Sequence, residues 1–107
     1  MYKLCFFVPE TYLDEVKDAL FEAGAGRIGL YDCCCWQVKG VGQFRALKGS
    51  DPFLGDINRL EKVEEYKVEM VCEDQCISEV IAALKLAHPY EEPAYDVWKL
   101  DDSLCDY

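Results

Sequence analysis

The order in which the hydrophobic period changes along this chain limits its fold more than any other feature. Tyr66, Val68, Met70 and Cys72 alternate with Glu65, Lys67 and Glu69, the period-two pattern of a half-buried strand, predicted over about 60–72. Residues 2–8, about 30–39 and about 94–99 read as further strands. Between them the period lengthens to that of a helix. Leu13, Val16, Leu20 and Ala23 form one apolar stripe behind Pro9, with Glu10, Asp14 and Glu15 in the first turns and Gly24 as the stop. Ile77, Val80, Ile81 and Leu84 form a second stripe, over about 74–87. It must end near His88, because Pro89 disfavours helical geometry in the residue before it.

The resulting order is βαββαβ. Two βαβ halves with right-handed crossovers give an α+β, ferredoxin-like sandwich: a four-stranded antiparallel sheet with both helices on one face. Residues 1–100 form this single domain, and 101–107 form an acidic tail expected to fray. Such an arrangement leaves one sheet face bare, which predicts a homo-oligomer.

Hydrophobic residues make up 51% of the 107 residues, enough for one core. The formal net charge of −10 repels phosphate backbones and anionic lipid, so neither nucleic acid nor membrane is an expected partner. No run approaches the ~20 apolar residues of a membrane helix, and residues 1–10 are too short an apolar stretch for a signal peptide. A cytoplasmic location is expected. Seven cysteines, an odd number, then read as reduced thiols, of which Cys105 in the tail is the most reachable.

Gly24-Ala25-Gly26-Arg27-Ile28-Gly29 spells GxGxxG, but a helix precedes it and a strand follows, the reverse of a dinucleotide-binding turn. It reads as a helix stop and tight turn. Cys33, Cys34 and Cys35, placed on a strand, would point to alternating faces and could not converge on one ion. Ser50, Ser78 and Ser103 lack the setting of a nucleophile.

Two segments carry candidate binding chemistry. Gly40, Gly42, Arg45 and Lys48 combine flexible backbone with two cations in an acidic chain. Read as a loop that breaks the second strand, they offer free N–H groups to a small anionic ligand, or form a plain bulge and turn. The corner that starts at His88 supplies a nitrogen and two carboxylates, from His88, Glu91 and Glu92. These are a partial site for a divalent ion such as zinc or copper; alternatively, His88 caps the helix and holds the turn. Pro89 and Pro93 make that corner a candidate for a cis bond.

The stretch from Gly24 to Tyr31, then Cys34, Trp36, Gly40-Val41-Gly42-Gln43-Phe44-Arg45, Gly49, Pro52 and Gly55, ends in His88-Pro89-Tyr90-Glu91-Glu92-Pro93-Ala94-Tyr95-Asp96. Together these resemble the domain inserted in many bacterial Nif-three-like (Ngg-interacting factor three) dinuclear-metal-centre proteins, a domain that also occurs alone. The resemblance implies a fold similar to the CutA copper-tolerance and PII signalling proteins, which assemble as trimers and act in metal tolerance or ligand sensing. The two-metal centre of the longer proteins lies in flanking domains that nothing here matches. Ala46 departs from the proline that often follows the Phe-Arg pair. The expected function is a non-catalytic, oligomeric regulatory or ligand-sensing module that meets a small anionic ligand or a protein partner. The alternative is a divalent-metal-binding protein using the His88 corner.

Overall fold

The computed structural model describes residues 1–104, apart from the side chain of Asp102. Strand β1 (Tyr2–Pro9) leads through a 3-10 turn (Glu10–Tyr12) into helix α1 (Leu13–Glu22). Strands β2 (Trp36–Arg45) and β3 (Leu60–Cys72), helix α2 (Ile77–Ala87) and strand β4 (Tyr95–Lys99) follow, and a 3-10 turn (Asp102–Leu104) closes the described chain. The four strands form one sheet in the order β2-β3-β1-β4, and every neighbouring pair is antiparallel. This is the ferredoxin-like arrangement expected from the periodicity.

Register explains the core. Leu4 pairs with Met70 and Val97, and Phe6 with Val68 and Tyr95, so these residues share one face. Val16 and Leu20 of α1 and Val80 and Leu84 of α2 pack on that same face. Both helices therefore lie on one side. Each fully buried Leu, Val or Phe contributes about 1.5–3 kcal/mol relative to exposure.

The opposite face carries Cys5 and Phe7 of β1, Lys67 and Glu69 of β3, Trp36 and Val38 of β2, and Trp98 of β4. Trp36 is 59% and Trp98 48% exposed. Cys5 is buried among its neighbours, and that burial pushes its thiol up.

Three expectations change. The second strand begins only at Trp36, so Cys33, Cys34 and Cys35 lie in the connection before it, with Cys33 at φ 54°. That connection is pinned at buried Gly26, whose N–H donates to Val71 O at 2.8 Å and whose carbonyl accepts from the Cys34 N–H at 2.8 Å. The strand also does not break at Gly40 and Gly42. It runs to Arg45, because neither glycine needs a positive φ and both hold their places in the ladder with Glu65 and Val63. The second helix starts at Ile77, after a turn in which Cys76 N–H donates to Glu73 O. Among the described residues no peptide bond is cis, so Pro89 and Pro93 are trans.

The β2–β3 ladder outruns the rest of the sheet. The β1–β3 register ends at Pro9 and Glu65, whereas β2 and β3 stay paired to Arg45 and Leu60. The projecting arm lengthens the molecule to 47 Å against 24 and 23 Å in the other directions.

Candidate functional site

At the root of this arm, on the face away from the helices, lies a cavity of about 400 Å³. Its floor comes from Phe7, Gly42, Phe44, Val63 and Glu65. The 46–59 connection folds over it through Leu47, Pro52 and Phe53, and the corner after α2 closes the remaining side through Tyr90 and Ala94. Arg45, Glu91 and Glu92 also line it, and all three are exposed.

His88 builds the corner. Its residue is 5% exposed, and both ring nitrogens are engaged. Nε2–H donates to the Phe7 carbonyl at 2.6 Å, and Nδ1 accepts the Tyr90 N–H at 3.1 Å. This pattern selects the neutral tautomer protonated on Nε2. Burial pulls the His88 pKa down, against the opposing pull of the Phe7 carbonyl. Two further bonds complete the seam: Phe7 N–H to Ala94 O at 3.3 Å, and Asp51 N–H to Glu91 Oε2 at 3.0 Å. The second of these ties the 46–59 connection to the corner.

Aromatic contacts set the walls. The Tyr90 ring lies 4.9 Å from His88, 6.1 Å from Phe44 and 6.3 Å from Phe53 between ring centres, and Phe53 meets Tyr12 edge-on at 5.7 Å.

Two polar groups inside these walls lack partners among the described residues. The Tyr90 hydroxyl is buried without a hydrogen bond. Burial raises its pKa, and the Glu65 carboxylate raises it further. The Glu65 carboxylate makes no ion pair or hydrogen bond among the described residues, and burial alone raises its pKa. A half-buried carboxylate and a buried hydroxyl, close but not bonded, can receive a hydrogen-bonding ligand.

No family model matches the chain. A curated relative from Halalkalibacterium halodurans, named GTP cyclohydrolase 1 type 2 homolog, is 47% identical over 100 residues. The alignment takes in 94% of this chain and 27% of that protein. The Mycobacterium tuberculosis protein of the same name is 46% identical over 98 residues, 92% of this chain and 26% of its own. The solved Bacillus cereus protein related to NIF3 superposes with a TM-score of 0.80 at 42% identity, over 94% of this chain and 25% of that one. The chain is homologous to a segment of the NIF3-related proteins. It spans about a quarter of the length of these relatives. CutA1 from Pyrococcus horikoshii matches with a TM-score of 0.70 at 17% identity, covering 100% of this chain and 90% of that one. CutA from Xylella fastidiosa gives 0.67 at 16%, over 94% and 83%. These two share the fold.

In this NIF3-like segment the two stretches singled out in the sequence meet at one cavity. Gly42 and Arg45 line it from β2, and Glu91 and Glu92 from the corner, whereas Gly40, Lys48 and His88 do not line it. The segment around Gly40 and Gly42 is strand, so the backbone N–H concavity expected of a loop there is replaced by a ladder to β3. His88, Glu91 and Glu92 do not gather as ligands. Among the described residues no three His, Cys, Asp or Glu side chains come together to hold a metal ion. His88 has no free nitrogen, and Glu91 already accepts the Asp51 amide.

The cysteines disperse as well. Cys33 and Cys35 are exposed, while Cys34 Sγ contacts Asp32 O at 3.5 Å. Buried Cys72 is pushed up to about 11, chiefly by burial. Cys105 lies outside the described residues.

Glu65, Tyr90, Phe44 and Phe53 are the site residues that sequence reasoning missed. Glu65 reads there as one more charge on the solvent side of a strand. Only the register that sets it opposite Gly40, with Gly42 diagonal to it, reveals its role.

Proposed function

We propose that the chain is a non-catalytic, oligomeric regulatory or ligand-sensing module that binds a small molecule in the cavity at the root of the β2–β3 arm. One observation carries this reading: an aromatic-walled cavity of about 400 Å³ keeps the Glu65 carboxylate and the Tyr90 hydroxyl without partners among the described residues. Its volume falls within the range typical of small-molecule sites, and buried polar groups are normally satisfied. The exposed Trp36, Val38 and Trp98 on the bare sheet face support self-association through that face. The acidic chain and its free thiols fit a reducing, cytoplasmic setting. The single histidine of this segment is spent on holding the corner.

The test is a fragment library followed by amide NMR shifts. Shifts clustered at Gly42, Phe44 and Tyr90, lost when Ala94→Trp fills the cavity, support the reading. Shifts scattered over the surface and unaffected by Ala94→Trp overturn it. Sedimentation of the wild type and of a Trp36→Ser/Trp98→Ser variant tests the oligomer, which should dissociate in the variant.

A further inference from the structure

The charges that line the cavity select the sign of its occupant, given the ligand-sensing reading above. Its ionisable lining consists of the Glu65, Glu91 and Glu92 carboxylates, the Arg45 guanidinium and the Tyr90 hydroxyl. Three carboxylates against one guanidinium leave an excess of two negative charges at neutral pH. An anion is therefore a poor occupant, and a neutral ligand leaves the half-buried Glu65 charge uncompensated. The charges also stand in two places. Glu65 lies on the floor, held over the β2 backbone where Gly42 has no side chain. Arg45, Glu91 and Glu92 are exposed at the mouth, where they sum to one negative charge. Each place thus carries one unit of excess negative charge.

The polar atoms and the walls add two further constraints. The Glu65 carboxylate only accepts hydrogen bonds, and the buried Tyr90 hydroxyl has an oxygen free to accept one. An ammonium carries three donors and can satisfy both at once. Tyr90 stands 6.1 Å from Phe44 and 6.3 Å from Phe53 between ring centres, tilted by 56° and 46°. Rings tilted in this way form a box and not a parallel slot, so they suit a rounded alkyl chain or cationic head better than a flat ring. Their faces attract a cation, and more strongly out of water.

We propose that the cavity binds a linear aliphatic diamine. One ammonium donates to the Glu65 carboxylate and to the Tyr90 hydroxyl oxygen. The alkyl chain lies along Phe44, Phe53 and Tyr90, and the second ammonium rests between Glu91 and Glu92 at the mouth. Two positive charges on one flexible apolar chain match the excess of two negative charges, their separation into floor and mouth, and the aromatic surface between.

Calorimetric titration of the 107-residue chain with putrescine, butylamine, succinate and magnesium chloride tests this. Putrescine should bind about tenfold tighter than butylamine, which carries a single charge on the same carbon chain. Succinate, which carries two negative charges instead, should not bind. Glu65→Gln should weaken putrescine about tenfold, and Tyr90→Phe and Phe53→Ala severalfold, with thermal unfolding showing each variant folded. Arg45→Ala should tighten putrescine, because it removes the opposing charge from the mouth; an anionic ligand would respond with the reverse sign. Equal binding of the two amines, or an unchanged putrescine affinity in Glu65→Gln, overturns the proposal. Displacement of putrescine by an equal concentration of magnesium overturns it too, as an ion atmosphere around an acidic chain. Tighter binding of succinate than of putrescine, or weaker putrescine binding in Arg45→Ala, overturns it in favour of an anionic ligand. No binding of either amine, while fragments still shift Gly42, Phe44 and Tyr90, overturns this ligand class and leaves the ligand-sensing reading standing. No fragment binding at the cavity overturns both.

Discussion

The Glu65 carboxylate occupies the space that a side chain on Gly42 would need. A Cβ built on Gly42 would stand 1.9 Å from Glu65 Oε1 and 2.7 Å from Cδ. The two residues belong to neighbouring strands, and the absence of one side chain lets the other lie over the ladder. Gly42 is therefore required by a close approach and not by its backbone angles.

Gly42→Ala should displace the carboxylate while leaving the strand intact. The contact is with the end of a flexible side chain, so the stability cost should stay within about 1 kcal/mol. Side-chain carboxyl NMR should show the Glu65 pKa falling back toward the ordinary range as the group moves into solvent.

Glu65 also predicts a dependence of stability on pH. Its pKa in the folded chain is raised from 4.5 by burial, so the folded state holds the proton more tightly than the unfolded state does. The resulting stabilisation is present below 4.5 and is lost as pH rises through the folded pKa. At neutral pH the ionised group is thus a burden. Glu65→Gln should raise the urea midpoint at pH 7 and lose that advantage at about pH 4. A midpoint at pH 7 below that of the wild type would show that the carboxylate has a stabilising partner.

His88 gives the opposite slope. Burial lowers its pKa from 6.5, so the unfolded chain binds the extra proton first. Stability due to neutral His88 is complete above 6.5 and falls as pH drops toward the depressed folded value. His88→Ala strips the partners from the Phe7 carbonyl and the Tyr90 N–H and should cost about 2–4 kcal/mol, read by chemical denaturation at pH 7.5. Its stability should also lose the wild-type decline below pH 6.5. A loss of metal content without a loss of stability would instead revive the zinc or copper reading of His88, Glu91 and Glu92.

Gly26 is the glycine whose backbone angle matters most. It sits at φ 77°, and a Cβ there would meet Phe21 Cε1 at 2.8 Å and the Cys34 carbonyl oxygen at 2.9 Å. Left-handed strain of about 1–2 kcal/mol and overpacking of about 1–3 kcal/mol combine, so Gly26→Ala should cost about 2–5 kcal/mol. The urea midpoint measures this directly. Gly49→Ala should cost less. It has a positive φ too, but nothing stands within 4 Å of its Cβ position.

Much of the architecture was legible in local pattern. The strand expected over about 60–72 is Leu60–Cys72, and the helix expected to stop near His88, ahead of Pro89, ends at Ala87. Both signals are short-range: alternation along a strand, and the clash of proline with helical geometry. The second strand was misplaced for an equally physical reason. Gly40 and Gly42 carry the composition of a break, and the cysteines before them carry that of a strand. Pairing with β3 overrode both preferences, as tertiary context commonly does in sheets.

The candidate site was legible only in fragments. Gly42, Arg45, Glu91 and Glu92 stood out from composition, but as two unrelated places and together with Gly40, Lys48 and His88, which do not line the cavity. Glu65 is one carboxylate among 21 acidic residues, and nothing near it in the chain distinguishes it.

Periodicity and proline chemistry are local, so the order of strands and helices, the face each helix buries and the four-stranded sheet all follow from residues within a few positions of one another. The cavity depends on contacts that local pattern cannot encode. Strand register brings Glu65 to Gly42, the His88 bond to the Phe7 carbonyl spans 81 positions, and the Glu91 bond to the Asp51 amide spans 40. Closing such loops costs chain entropy that only the assembled sheet and corner repay, so the site exists only once the whole domain has folded.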